Sequence, residues 1–236
     1  MAIDNETRAK ALESVKILGL AADHPGAGKD TAFAALVAAN PGVQFENVKF
    51  ADALTEELYT LFAKRVPKED FLNIRNDPTL KDYAFNFFKP DNIDPTALNG
   101  RGGRYTAFLY NSGYKGGERM SVRQHLLIYG THFIRENQGE PDRWLNLGLA
   151  AAQDAVARGV VPVITDVRFP NEAKRLKEIG ADIAHIALDT VANAALDTLT
   201  GIAEGHLKDW DFDLRVKNVW GKPENMGVQF NAKYRW

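Results

Sequence analysis

The chain has no cysteine, which excludes disulfides, thiolate metal centres and cysteine nucleophiles and fits a reducing compartment. Histidine is scarce, with five residues. His125 and His132 lie seven apart near the apolar stripe of one predicted helix, whereas a metal pair there wants a spacing of four and an acidic partner. They read as packing or surface residues. Neither sign of charge is in excess: 29 basic against 31 acidic side chains leave a formal charge of −2. A protein held to nucleic acid by bulk electrostatics needs a basic face, so no stable nucleic-acid binding is expected. No apolar run approaches the roughly 18–20 residues that cross a bilayer. The opening stretch MAIDNETRAKALESVK also lacks the apolar core of a secretory signal. The expectation is a cytoplasmic protein without membrane association, and neither internal repeats nor low-complexity tracts interrupt it.

Alternating strand and helix signals point to an α/β fold. A short polar helix leads into an apolar strand at VKILGLAA (Val15–Ala22). A glycine-rich turn follows, then a helix from Lys29 to about Ala39, stopped by Asn40–Gly42. VQFENVKFA reads as a second strand. LTEELYTLFAKR reads as a helix with Leu54, Leu58 and Leu61 on one face. Rhythm is lost between Val66 and Met120, a segment with four of the ten prolines, six of the nineteen glycines and scattered aromatics. A structureless loop of that length is unusual in a compact domain, so 66–120 reads as an inserted substrate-binding or cover segment within one domain, 1–236. Helical spacing returns with Val122, Leu126, Tyr129 and Phe133, followed by an Ala-rich helix from Arg143. VVPVITD and ADIAHIAL read as buried parallel strands flanking the helix NEAKRLKEIG. Beyond about Asp189 the signal weakens, and the tail reads as packed but irregular.

The chemistry concentrates in two places. ADHPGAGKDT (Ala22–Thr31) nearly matches the phosphate-cradling pattern G-x-x-x-x-G-K-[ST], with Asp23 for the first Gly and Asp30 for the hydroxyl residue. A strand feeding such a turn into a helix N-terminus aims backbone N–H groups and the positive dipole end at one point. Gly26, Ala27 and Gly28 would let the backbone approach a phosphate, and Lys29 would reach its outer oxygens. Asp30 beside a polyphosphate is repulsive unless a cation intervenes, which argues for Mg²⁺; Thr31 offers a hydroxyl one residue late. The second place is TDVRFPNEA. There Asp166 ends a buried strand at the edge where open α/β sheets bind ligands, suiting it to Mg²⁺. Arg168 could clamp a phosphoryl group, with Glu172 one turn on to hold it. A plain alternative is a salt-bridged loop with a helix cap.

GAGKDT, KFADAL, VRQHLLIYGT and TDVRFPNEA, in this order, resemble the bacteriophage deoxynucleoside monophosphate kinases, a branch of the P-loop nucleoside monophosphate kinases. The likeness runs from roughly Val15 to Ile186. It implies a P-loop three-layer α/β/α fold with a mostly parallel central sheet and a lid segment. It also implies ATP as phosphoryl donor, Mg²⁺, a deoxynucleoside monophosphate (dNMP) as substrate, and the host cytoplasm for a phage-encoded chain. By that resemblance Lys29, Asp30 and Thr31 handle the ATP phosphates and metal. Phe50, Ala51 and Asp52 open the monophosphate side, Arg123 grips the substrate phosphate, and Gly130 and Thr131 share its helix. Asp166, Arg168 and Glu172 lie near the reacting phosphates, and Trp144 near the substrate. Leu127 stands where the family tends to have Gln. From spacing alone, Arg123 also fits a surface position and Trp144 a core one. Arg101 and Arg104 fit cover-loop phosphate ligands, but a solvated turn is the simpler reading.

A monophosphate acceptor brings its own anionic nucleophile, so no catalytic base is needed. That suits a sequence without a Ser–His or paired-carboxylate pattern. Two other readings stay open at this point: another P-loop NTPase or small-molecule kinase, and a nucleotide-binding regulatory protein without turnover. A homodimer is compatible with all three.

Overall fold

The computed structural model describes residues 17–24, 26–188 and 206–236; the expected N-terminal polar helix lies outside them. Five strands form one all-parallel sheet in the order β2-β3-β1-β4-β5: β1 Leu18–Ala21, β2 Phe45–Val48, β3 Val161–Ile164, β4 Asp182–Leu188 and β5 Leu214–Asn218. β1 and β3 are buried at every position, as expected of parallel strands covered on both faces. The helices are α1 Lys29–Ala39, α2 Phe50–Phe62, α3 Lys68–Asn76, α4 Ala97–Asn111, α5 Val122–Leu127, α6 Arg143–Ala157, α7 Pro170–Glu178 and α8 Glu224–Lys233. No helix among the described residues is long and apolar enough to cross a membrane.

The chain divides into two compact units, one comprising residues up to Phe50 and from Gly148, the other Ala51–Leu147. The first holds the sheet. Leu18, Leu20, Leu36, Val163, Ile186 and Val216 share its core with Met226 and Phe230 of α8. Among the described residues, 206–236, the tail is therefore not irregular throughout. It supplies β5 and α8, and its strand signal was weak because only Val216 of β5 is buried. α8 lies so close to α1 that a Cβ on Gly227 would stand 2.7 Å from the Ala35 carbonyl oxygen and 2.8 Å from the Ala39 Cβ.

The second unit is wider than the expected 66–120 insertion, because helices on both sides of that segment build the same core. Leu58, Leu61 and Phe62 of α2 pack with Phe71, Phe88, Tyr105, Tyr129, Phe133 and Trp144. Ring contacts run through it, including Phe62 edge-on to Phe88 at 5.2 Å. Periodicity failed within the segment because α3 is short and because α4 opens with a left-handed turn at Leu98, Asn99 and Gly100 (φ 53°, 55° and 79°). α5 starts at a capping box between Ser121 and Gln124 and continues as a π-helix, Ile128–Asn137. His125 is a packing residue: its Nε2–H donates to the Phe88 carbonyl at 3.0 Å and its Nδ1 accepts from the Tyr105 hydroxyl at 2.9 Å.

Two outcomes follow from these contacts. In Gly227→Val, the added carbons meet α1 backbone that cannot retreat. The variant should lose about 2 kcal/mol, seen as a lower thermal midpoint. Burial pushes the His125 imidazole down to about 4 from an ordinary 6.5. The unfolded chain takes up a proton below about pH 6.5 that the fold refuses until about pH 4, so stability falls with pH across that window. Between pH 7 and 5 urea unfolding should show a loss of about 2 kcal/mol from this group.

Candidate functional site

The loop between β1 and α1 is shaped by two glycines. Gly26 and Gly28 take φ of +75° and +96°, the left-handed region that glycine enters without steric cost. Gly28 immediately precedes α1 and is also tightly enclosed: a Cβ there would stand 2.3 Å from Nδ2 of Asn218. That amide donates to the Ala27 carbonyl at 2.9 Å, so the last residue of β5 braces the loop. Asp23 does not share this requirement, since Leu98 and Asn99 are the only non-glycine residues with positive φ among those described. The backbone has no need of glycine at position 23.

Two consecutive residues after β2 tie the two carboxylates expected at a metal. Lys49 Nζ lies 2.8 Å from Asp30 Oδ1, and the Phe50 N–H donates to Asp166 Oδ1 at 2.8 Å. Burial opposes ionisation of Asp30, but Lys49, Asn47 and Lys29 outweigh it and hold the carboxyl below its ordinary range. Asn47 is itself oriented by the Thr165 hydroxyl, which donates to its Oδ1 at 2.8 Å. Mg²⁺ takes oxygen donors and is commonly held by one or two carboxylates together with substrate phosphates and water. Asp30 and Asp166, with Thr31, match that chemistry, whereas no group of three or more His, Cys, Asp or Glu among the described residues forms an all-protein cage.

After β3 the chain turns at Thr165–Phe169 into α7. Glu172, only 2% exposed, accepts from the backbone N–H of Arg168 at 2.9 Å and of Phe169 at 3.1 Å. Its carboxylate caps the start of α7 and fixes the turn that carries the half-buried Arg168. Glu172 therefore holds Arg168 in place through its backbone.

Gly26–Thr31, Lys49, Phe50, Asp166, Arg168 and Glu172 thus belong to the first unit, at or just beyond the carboxyl ends of β1, β2 and β3. Phe50 is the first residue of α2. Its ring is buried, and a Cβ on Gly148 would stand 2.3 Å from it; what it offers the site is its N–H. The other expected residues lie in the second unit. Asp52 is exposed on the first turn of α2. Arg123, on α5, has its Nε 2.5 Å from Asp82 Oδ1. Thr131 is half-buried on the π-helix. Gly130 is a packing glycine, because a Cβ there would come within 2.7 Å of Leu54. Trp144, expected beside the substrate, is a core residue 2% exposed, and its indole N–H donates to the Gly130 carbonyl at 3.0 Å.

Sequence reasoning missed Lys49 and Asn218, whose partners are distant in the chain. It also missed a charge cluster in the second unit. There Glu57 accepts from Arg101 at 3.1 Å and from the Tyr129 hydroxyl at 2.8 Å, and it pairs with Arg143. Arg101 is therefore a helical residue in an ion-pair network, not part of a solvated turn.

The cap formed by Glu172 is testable. Glu172→Ala leaves two N–H groups without their acceptor and should cost about 2 kcal/mol, whereas Glu172→Gln, which keeps an acceptor oxygen, should recover most of it in chemical denaturation. No protein-family model matches the chain, and a search of curated proteins finds no match.

Proposed function

We propose that the chain is an ATP-dependent deoxynucleoside monophosphate kinase of the P-loop type, transferring the γ-phosphoryl group of ATP to a dNMP and releasing ADP and dNDP. One observation carries this reading above all. A buried strand ends in a loop with left-handed glycines at 26 and 28, which runs into α1 with Lys29 at its first position. Such a loop converges backbone N–H groups and the positive end of the helix dipole where a polyphosphate would sit. The neighbouring strand ends add Asp166, Arg168 and Lys49, the charges of both signs that phosphoryl transfer uses.

In the proposed reaction an anionic oxygen of the acceptor phosphate attacks the γ-phosphorus. The bond from that phosphorus to the β,γ-bridging oxygen breaks, and ADP leaves with the electron pair. The nucleophile is already deprotonated, so the protein's contribution is alignment and charge compensation. Lys29 would hold the β- and γ-phosphate oxygens, and Arg168, kept in place by Glu172, would stabilise charge on the transferring group. Mg²⁺, when bound, would neutralise phosphate charge, with Asp30 and Asp166 as its protein ligands or as ligands to its waters. The resemblance assigns the acceptor's phosphate to Arg123. It leaves base choice to positions such as Leu127, where this chain departs from the family's Gln.

A coupled ADP-release assay with ATP and Mg²⁺, each dNMP and NMP being added singly, tests the reading. ADP release should depend on a deoxynucleoside monophosphate, and it should fall by on the order of 10²-fold or more in Lys29→Ala and in Arg168→Ala. ATP turnover indifferent to every monophosphate would make the chain an NTPase. ATP binding without turnover would make it a nucleotide-binding protein, and either result would sink the kinase reading.

A further inference from the structure

We propose that His185 is a positioning residue for the phosphate loop: it neutralises Asp23 and ties it down, which lets a carboxylate stand at the opening position of a loop that must admit a polyphosphate. The inference rests on the reading of Asp23–Thr31 as an ATP site.

The backbone does not demand glycine at Asp23, so the obstacle to an acid there is electrostatic. Its charge would oppose that of a triphosphate seated on the loop. Lys29, the cation of the loop, stands at the opposite end of it. Compensation comes from β4, which is paired directly with β1. His185 is the register partner of Ala21, the last residue of β1. It is 4% exposed, and its Nε2 lies 3.1 Å from Oδ2 of Asp23.

The rest of its surroundings offers the imidazole little. The Phe212 ring lies tilted against it at 4.8 Å, and the Arg215 guanidinium sits 5.1 Å from the Phe212 ring. Neither ring nitrogen of His185 makes an aligned hydrogen bond to any described residue. The approach to Asp23 is close but is not an in-line hydrogen bond. His125 shows the contrast: the other buried histidine has both nitrogens matched, by Phe88 and Tyr105. A histidine that merely fills a core is normally satisfied in that way. His185 instead has its polar edge beside a single acid, and that acid opens the loop. The loop is thus braced at both ends, through Asp23 by β4 and through Ala27 by Asn218 of β5.

A double-mutant cycle on the full chain tests this, with Asp23→Asn, His185→Gln and the double variant. The ATP dissociation constant is measured by calorimetry with Mg²⁺, and thermal unfolding is followed without nucleotide. His185→Gln should weaken ATP binding about tenfold by leaving Asp23 uncompensated, whereas the same change in the Asp23→Asn background should leave it unaltered. Equal weakening in both backgrounds would reduce His185 to a structural residue and overturn the proposal, as would no weakening in either. Should His185→Gln fail to fold, Asp23→Asn alone decides: ATP affinity equal to or above that of the unaltered chain supports compensation, and a tenfold loss contradicts it. If the unaltered chain binds no ATP, the ATP reading fails and this inference with it. Additive effects in a chain that does bind ATP defeat this inference alone.

Discussion

Parallel pairing of β1 on both of its edges is the constraint from which the candidate site follows. With β3 on one side and β4 on the other, β1 is buried at every residue, and its only exit is at the carboxyl end. Because all five strands run the same way, every strand presents that end at one edge of the sheet. Residues scattered through the sequence are collected there: the glycine loop after β1, Lys49 and Phe50 after β2, Asp166 and Arg168 after β3, and Asn218 at the end of β5. An edge strand with a single buried residue looks dispensable in the sequence. Yet Asn218 makes contact with both Ala27 and Gly28, so the loop after β1 is shaped partly by β5.

The acids of the first unit share a pattern. Asp30 is paired with Lys49, Asp166 receives the Phe50 N–H, Glu172 receives two N–H groups of its own turn, and Asp23 meets His185. Each contact fixes the backbone or a side chain near the strand ends. Catalysis that works by alignment and charge compensation benefits from such prior fixation, because little reorganisation is left for the moment of reaction. The same pattern explains how a loop with acids at positions 23 and 30 can still be read as a site for anions.

The elements readable from sequence were those whose residue types admit few alternatives. Gly26 and Gly28 mark left-handed backbone, the run VVPVIT suits only a buried strand, and Asn40–Gly42 ends a helix. The tail was not readable, because β5 alternates around Val216 alone. The second unit was bounded too narrowly. Its aromatic core is recruited from α2 and α6 as well as from the irregular segment, and no local period announces that. Spacing could not separate the two roles of Glu172, since a residue one turn beyond Arg168 can reach either its guanidinium or its backbone. Spacing left Trp144 open between core and substrate positions; it is buried, and its indole N–H donates to the Gly130 carbonyl. Lys49–Asp30 and His185–Asp23 join distant parts of the chain and had no local signal at all. The glycines and lysine of the candidate site were visible in the sequence, but the contacts that support them were not.

The central claim is that the loop after β1 holds the polyphosphate of a nucleotide. The most direct test is a crystal structure with Mg²⁺ and a non-hydrolysable ATP analogue. The account predicts β- and γ-phosphates seated against the N–H groups of Gly26–Thr31 and contacted by Lys29 Nζ, with the metal reached by Asp30 or Asp166. A nucleotide bound elsewhere, or an empty loop at saturating analogue, would contradict it.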